Sequence, residues 1–590
     1  MAWFLIEGRL SHDECGYAED GVRRRAVVDL GGLRISLPQS RFIFEILWFE
    51  TEPNVVAPLS VRKLGRVERV WRMAYRALRT ANRLTPAQRG QCQLRFRDIA
   101  LDLSQSYQNA SRFFRGIDYA EWVESVDCPN HSDQFEIQRA QADSQELPSI
   151  RAWVCGQDAG EIAADDWVML LKPGDQLAAH ALLWFACEIR KHPDAVLIYA
   201  DDDEIETGRR CRPRFKPDWS LTQLRATDYI GRAAVINGGA LMAAGGLRPE
   251  NLAGDTWELL LRVGERAADH VRHIPAVLLH RDAKEERKSP IMIRRVRYPL
   301  PELAPLVSIV IPTRDAVGLL RQCVTSVLAK TTYPHFEIVI VDNRSRDPAA
   351  LAYISEIARW PKVRVLRYDK PFNYSAINNF AATQVAGEVL CLLNNDTEVI
   401  SPDWLEEMVS HLCQERVGVV GAKLYYPDGR VQHGGDVVGP GGCANHLHQF
   451  IARDDPGYCH RAVVAQELSA VTAACMVTWR ALYQQLGGLD EKHLPVAFND
   501  VDYCLRVRQS GYKIVWTPHA ELYHHESVSR GKDQSAKRKK VARQEVAYMR
   551  RRWNQELKAD PFYNPNFSYL RADFVLGPAP NVQKPWLANP

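Results

Sequence analysis

Residues 389–398, VLCLLNNDTE, begin as five apolar residues and stop abruptly at Asn394, Asn395 and Asp396. Five consecutive apolar positions suit a strand buried on both faces. A polar triplet at its carboxyl end falls where open α/β sheets place ligands. A carboxylate with neighbouring amides is an oxygen-donor set that can hold Mg²⁺ or Mn²⁺ and leave positions for substrate phosphates. Alone, the stretch is better read as a strand followed by a polar turn, and its surroundings decide.

Before it, PLVSIVIPTRD (305–315) is an apolar run ending in Pro312, Thr313, Arg314 and Asp315, followed by an amphipathic helical pattern over 317–330. FEIVIVDNRSRD (336–347) is a second buried strand ending in Asp342 and Asn343, with a third strand at 363–366 and a helix over 374–385. Parallel strands with helical crossovers, each ending in polar residues, make a nucleotide-binding α/β half. Neither a GxGxxG fingerprint nor a Walker A lysine follows the first strand, so the phosphates need another counter-charge, and a metal on Asp396 is the simplest.

After it, a helix to 413 and a strand over 417–424 lead to three further clusters. FNDVDYCLR (498–506) opens a helix with Asp500 and Asp502, where carboxylates are favoured by the first-turn N–H groups and capping accounts for one of them. HHESVSRG (524–531) offers an imidazole to complete a metal site and Arg530 to contact a diphosphate. The glycine-rich run 434–442, leading to Asn445, His446 and His448, reads as a mobile loop beside a binding site. Cys443, His446, His448, Cys459 and His460 match no recurring zinc-ligand spacing, and zinc is disfavoured there.

The frame recurs upstream. A strand over 167–171 ends in Lys172-Pro173-Gly174-Asp175, and a helix and a strand over 195–200 follow, the latter ending in Asp201-Asp202-Asp203-Glu204. WELLLRVGE with HIPAVLLH (257–280) parallels VDYCLRVRQSGY with VWTPHAELYHH (501–525), an internal duplication. A lysine stands where the second copy has its asparagines, so the first copy keeps the frame without the metal. Its acidic run reads as a solvated loop.

The chain has 590 residues, 46% hydrophobic and 25% charged, which is ordinary globular composition spread over two to four domains. A net charge of +3 and the lack of a nucleic-acid motif argue against nucleic acid as a partner. The 13 scattered cysteines suit reduced thiols, and MAWFLIEGRL at the start does not resemble a secretory leader, so a cytoplasmic location is expected. Two segments are basic. A helix over 60–84 places Val67, Val70, Trp71, Ala74 and Leu78 on one face beside an arginine stripe, and 532–552 carries nine Lys and Arg against two acidic residues. Either could lie peripherally on an anionic membrane or be a solvated face.

PLVSIVIPTRD, IVIVDNRSRD, NYSAINNFA, VLCLLNNDTEV, VTAACMV, LGGLDE, FNDVDYCLR and ELYHHESVSRG, in that order, resemble the family 2 glycosyltransferases, closest to bacterial rhamnosyltransferase-like members of cell-surface polysaccharide assembly. The resemblance implies an α/β fold, a nucleotide-sugar-binding mixed sheet flanked by helices, with an upstream degenerate copy. The domains expected are a small β-rich region at 1–58, a helical region at 59–143, the degenerate module at 144–300, a catalytic domain at 301–531, and a basic helix and tail at 532–590. It further implies inverting transfer from a nucleoside-diphosphate sugar to a glycan or lipid-linked acceptor, with Asp500 as base. Asp396, Asn394 and His524 would hold Mg²⁺ or Mn²⁺, and Pro312, Thr313, Arg314, Asp342, Asn395 and Arg530 would meet the donor. Asparagine at 394 and 499, where the family carries acids, keeps a silent nucleotide-sugar-binding scaffold as the alternative, and a nucleotidyltransferase is a third.

Overall fold

The computed structural model describes the backbone of separate elements within residues 2–115, then 116–127, 148–525 and 536–585, apart from 156–160, 253–254, 268, 288–290 and 583. The chain divides into two compact units, residues 1–115 and 116–590. In the first, Arg25–Leu30 and Leu33–Pro38 pair as an antiparallel hairpin, and Ala2–Glu7 pairs with Phe42–Ile46 and Ser60–Lys63. The basic helix runs over Arg66–Ala81. Met73, Ala77, Thr80 and Ala81 are buried, whereas Val70, Trp71 and Leu78 are exposed. Three of the five residues of the apolar face, Val70, Trp71 and Leu78, are thus exposed.

The second unit holds two mixed α/β sheets. Its upstream sheet contains β1 (Ile150–Val154), β2 (Trp167–Leu171), β3 (Gln176–Leu177), β4 (Leu197–Glu206), β5 (Arg209–Arg214), β6 (Ala234–Asn237) and β7 (Val271–Asp282), in the order β1-β2-β6-β4-β7-β3 with β5 beside β4. Helices α1 (Ala181–Lys191) and α2 (Trp257–Ala267) flank it.

The downstream sheet contains β8 (Val307–Thr313), β9 (Phe336–Asp342), β10 (Val363–Arg367), β11 (Val389–Leu393), β12 (Thr397–Val399), β13 (Val417–Tyr425) and β14 (Val431–His433). A hairpin of β15 (Asp436–Val438) and β16 (Ala444–His446) lies apart from it, and β17 (Gln466–Glu467), β18 (Cys475–Trp479) and β19 (Lys513–His524) complete the sheet. Helices α3 (Val317–Lys330), α4 (Pro348–Ile357), α5 (Tyr374–Ala382), α6 (Trp404–Leu412), α7 (Asn499–Gln509) and α8 (Ala536–Arg552) pack around it. Strand order is β10-β9-β8-β11-β18-β13-β19-β12.

The two sheets share their plan strand for strand. β1-β2-β6-β4-β7-β3 corresponds to β8-β11-β18-β13-β19-β12, and every neighbouring pair keeps its sense: parallel for the first and fourth pairs, antiparallel for the others. Among the described residues, the upstream sheet lacks the counterparts of β9 and β10. Every residue of β11 is fully buried, as an unbroken apolar run between two neighbouring strands requires.

The upstream acidic run is not a solvated loop. Asp201, Asp202 and Asp203 lie within β4, each 0% exposed. Asp202 meets Arg214, Lys216 and Arg281 at 2.6–2.8 Å, Asp203 meets Arg210 and His280 at 2.6 Å, and Asp201 accepts from Lys216 N–H, His273 and Asn564. Cations from β5 and β7 flank the strand on both sides, and that charge pairing allows three consecutive carboxylates inside. Asp175 is likewise bound by both forks of Arg232, at 2.8 and 2.9 Å. Among the described residues, no helix is long and apolar enough to cross a membrane.

Candidate functional site

A cavity of about 650 Å³ opens at the carboxyl ends of β8 and β11. Pro312, Thr313, Arg314, Asn394, Asn395, Asp396, Asp500 and His524 all line it. Three elements deliver the acid–imidazole pair. β11 ends at Leu393, β12 turns back against the end of β19 with Thr397 opposite His524, and His525 N–H donates to the Asp396 carbonyl at 2.8 Å. This register brings His524 Nε2 to 3.2 Å from Asp396 Oδ1, while His525 faces Glu398 at 3.5 Å.

His524 Nδ1–H donates to Gln432 Oε1 at 2.7 Å. Anchored there, the ring turns its Nε2 toward the Asp396 carboxylate, the orientation in which an imidazole can serve as a metal ligand. Asn394 presents its amide group 3.3 Å from the same Nε2 and accepts from Tyr374 Oη at 3.2 Å; a half-turn of the amide would substitute its oxygen. One carboxylate, one imidazole and one amide at a cavity wall suit a dication that keeps open positions for phosphate oxygens.

Across the cavity, Asp500 stands in the first turn of α7. Its Oδ2 accepts from Ala473 N–H at 3.0 Å and its Oδ1 from Val501 N–H at 2.9 Å. Burial, and after it the nearby Asp436 carboxylate, pushes the Asp500 carboxyl above its ordinary range. Asp502 is committed elsewhere: fully buried, it binds Arg506 at 2.8 Å and accepts from Trp553 Nε1–H at 2.9 Å. Asn499 donates to the carbonyls of Leu494 and Val496, tying the loop that precedes the helix. α8 holds the same loop from outside, since the buried Glu545 carboxylate accepts from Val496 and Ala497 N–H at 2.9 and 3.1 Å.

Of the other expected residues, Asn395 donates to Thr313 Oγ1 at 3.0 Å, joining the ends of β8 and β11. Asp342 ends β9 opposite Thr313, where it accepts from Ser345 N–H at 3.0 Å and pairs with Arg367; its neighbour Asn343 lines the cavity. Arg530 lies outside the described residues.

The glycine-rich run is a packed hairpin rather than a mobile loop. Val437 and Val438 of β15 are fully buried, and Asp436 N–H is tied to the Ala470 carbonyl at 2.9 Å. Gly435 stands at φ +88, and a Cβ there would come within 1.9 Å of Leu468. The Cys and His set disfavoured for zinc forms no cluster among the described residues: His448 stacks on Phe574, with ring centroids 4.9 Å apart. His446 joins His433 and Asp436, which sequence reasoning overlooked. The available signal was His-Gly-Gly-Asp at 433–436, two polar residues held on either side of a turn that only glycine makes easily.

Comparison with known proteins defines the class. Residues 308–441 match the model of Glycosyl transferase family 2. The chain is 43% identical over 454 residues to the uncharacterized protein y4gI of Sinorhizobium fredii, covering 70% of this chain and 50% of that protein. It is 36% identical over 446 residues to the O-antigen biosynthesis protein RfbC of Myxococcus xanthus, covering 69% and 34%. An N-acetylglucosaminyl-diphospho-decaprenol L-rhamnosyltransferase of Mycobacterium tuberculosis is 26% identical over 225 residues, 35% of this chain and 72% of that enzyme. The chain thus spans half or less of the length of the first two relatives.

Proposed function

We propose that the downstream module transfers a sugar, with inversion, from a nucleoside-diphosphate sugar to a hydroxyl of a glycan or lipid-linked acceptor in surface-polysaccharide synthesis. The observation that carries this reading is the shared cavity: Asp500 and the Asp396–His524 pair line one space of about 650 Å³, while Asp502 is locked away by Arg506 and Trp553. A cavity of that size suits a nucleotide sugar. Asp500 Oδ takes the proton from the acceptor hydroxyl as its oxygen attacks the anomeric carbon and the bond to the diphosphate breaks. Its raised affinity for protons makes it a better base than an ordinary aspartate. Asp396, His524 and Asn394 would hold Mg²⁺ or Mn²⁺, which neutralises the leaving diphosphate. Pro312, Thr313, Arg314, Asn395, Asp342 and, beyond the described residues, Arg530 form the donor side.

The named relatives favour a polysaccharide product, and the Mycobacterium enzyme favours rhamnosyl among hexosyl donors. The upstream sheet, sharing the plan without the two nucleotide-side strands and with a salt bridge in place of the metal ligands, is assigned as a silent module that holds the catalytic one or its acceptor. The exposed Trp71, Tyr75 and Leu78 and the basic α8 are assigned to contact with anionic lipid.

The test is a panel of UDP-, dTDP- and GDP-sugars with Mn²⁺ and product analysis. Release of a nucleoside diphosphate with sugar transfer is expected. Pyrophosphate release would indicate a nucleotidyltransferase, and binding without turnover a scaffold.

A further inference from the structure

The buried hairpin beside the catalytic base carries a second cluster of ligand atoms. Asp436 and His446 are direct cross-strand partners of β15 and β16, and His433 ends β14 three residues before Asp436. His446 Nδ1 lies 2.6 Å from Asp436 Oδ1 and 2.9 Å from His433 Nδ1, and His433 Nδ1 lies 3.7 Å from the same Asp436 oxygen. The positions are rigid: His433 and Asp436 are buried, and Gly435 fixes the turn between them.

Protons alone serve this arrangement poorly. If His446 Nδ1–H donates to Asp436, it has no lone pair for the His433 nitrogen 2.9 Å away. If His433 donates to His446, the 2.6 Å approach of His446 to the carboxylate is left without a proton. A cation accepting one electron pair from each of the three atoms satisfies all of them. Tetrahedral coordination at zinc distances puts ligand atoms about 3.3 Å apart, within the range that the three observed separations span. Such an ion leaves the hydrogen on His433 Nε2, and the long 3.4 Å approach of Thr472 N–H to that atom must then relax.

We infer that His433, Asp436 and His446 form a second divalent-metal site, selective for an imidazole-preferring transition ion of the zinc type and distinct from the Asp396 set. Two imidazoles and one carboxylate favour zinc or cobalt, whereas the amide, carboxylate and single imidazole of the Asp396 set suit harder ions. Three protein ligands leave a fourth position open, the pattern of a metal that takes a substrate or water oxygen. Asp436 and His446 line the cavity, and consecutive backbone N–H groups of Thr472 and Ala473 reach His433 and Asp500. The open position therefore lies on the base side. Its role, resting on the glycosyl-transfer reading above, is to bind the acceptor hydroxyl that Asp500 deprotonates.

Metal binding can be read without turnover. The chelator-stripped full-length protein is titrated with Co²⁺ alone and followed by visible ligand-field absorption; in parallel it is loaded with Zn²⁺, desalted and assayed for retained metal. Wild type and Asp396→Asn should develop the same Co²⁺ band and retain one zinc per chain. His446→Gln and Asp436→Asn, checked for an unchanged thermal transition, should weaken Co²⁺ binding by roughly 100-fold or more, since loss of supporting partners alone costs 10- to 100-fold. His446 is partly exposed, so His446→Gln keeps the test open if Asp436→Asn fails to fold. A band that survives His446→Gln, or none in wild type, overturns the site. A band that behaves as expected in a protein that turns over no nucleotide sugar leaves the site standing and removes the glycosyl-transfer reading instead.

Discussion

Asp500 and Asp502 are two residues apart in one helical turn, yet only Asp500 reaches the cavity while Asp502 neutralises Arg506. Asp500→Asn should lower kcat by roughly 10²- to 10⁴-fold with donor Kd little changed, measured by initial rates and calorimetry. Because a protonated carboxyl cannot accept the acceptor's proton, activity should fall as pH drops through the Asp500 pKa. That midpoint should lie above the ordinary aspartate value of 3.8 in a kcat/KM profile, since burial and Asp436 raise it. Asp396→Ala should instead weaken donor binding and rate together, and full activity in excess chelator would remove the metal from the scheme. The polar triplet after an apolar strand was legible because its meaning is local. Asp436 and His433 were not, because nothing in a one-dimensional spacing says that a hairpin will fold His446 back onto them.

At the scale of elements, α8 is more than a basic face. Its Glu545 carboxylate binds the two backbone N–H groups just ahead of Phe498, whose φ of +58 sets the entry into α7. Glu545→Ala should release that loop and lower kcat by roughly 10- to 100-fold through misplacement of Asp500. Donor Kd should stay within about twofold, and Glu545→Gln, which keeps an acceptor oxygen, should restore most of the rate. Uniform burial made β8, β9 and β11 readable as apolar runs. Spacing alone left open which face of Arg66–Ala81 is covered, because it shows where the apolar side chains lie and not what packs against them. The triple aspartate of β4 misled for a related reason: the cations that make it buriable come from β5 and β7, one of them nearly eighty residues away.

Across the whole molecule, the second unit is joined by charge as well as by apolar contact. His273 is held at about 9: burial lowers it, but Asp201 and Asp218 outweigh that. A folded-state value above the ordinary 6.5 stabilises the protein fully below pH 6.5, and that contribution is lost as pH rises through 9. The difference corresponds to about 3 kcal/mol. His273→Gln should therefore flatten the wild-type decline in urea-unfolding stability between those pH values. The repeated segments pointed to a duplication without giving the order in which its strands pair, since the order that the two sheets share does not follow the chain. The path of the tail was not legible either. Asn564 donates to Asp201 at 2.9 Å across 363 residues, and Asn566 reaches the Pro275 carbonyl at 2.9 Å. Chain synthesis therefore exposes the upstream sheet long before its last partner exists. Until residue 564 has been made, Asp201 lacks the hydrogen bonds that the Asn564 amide gives it, so in vectorial order this contact is among the last to become available.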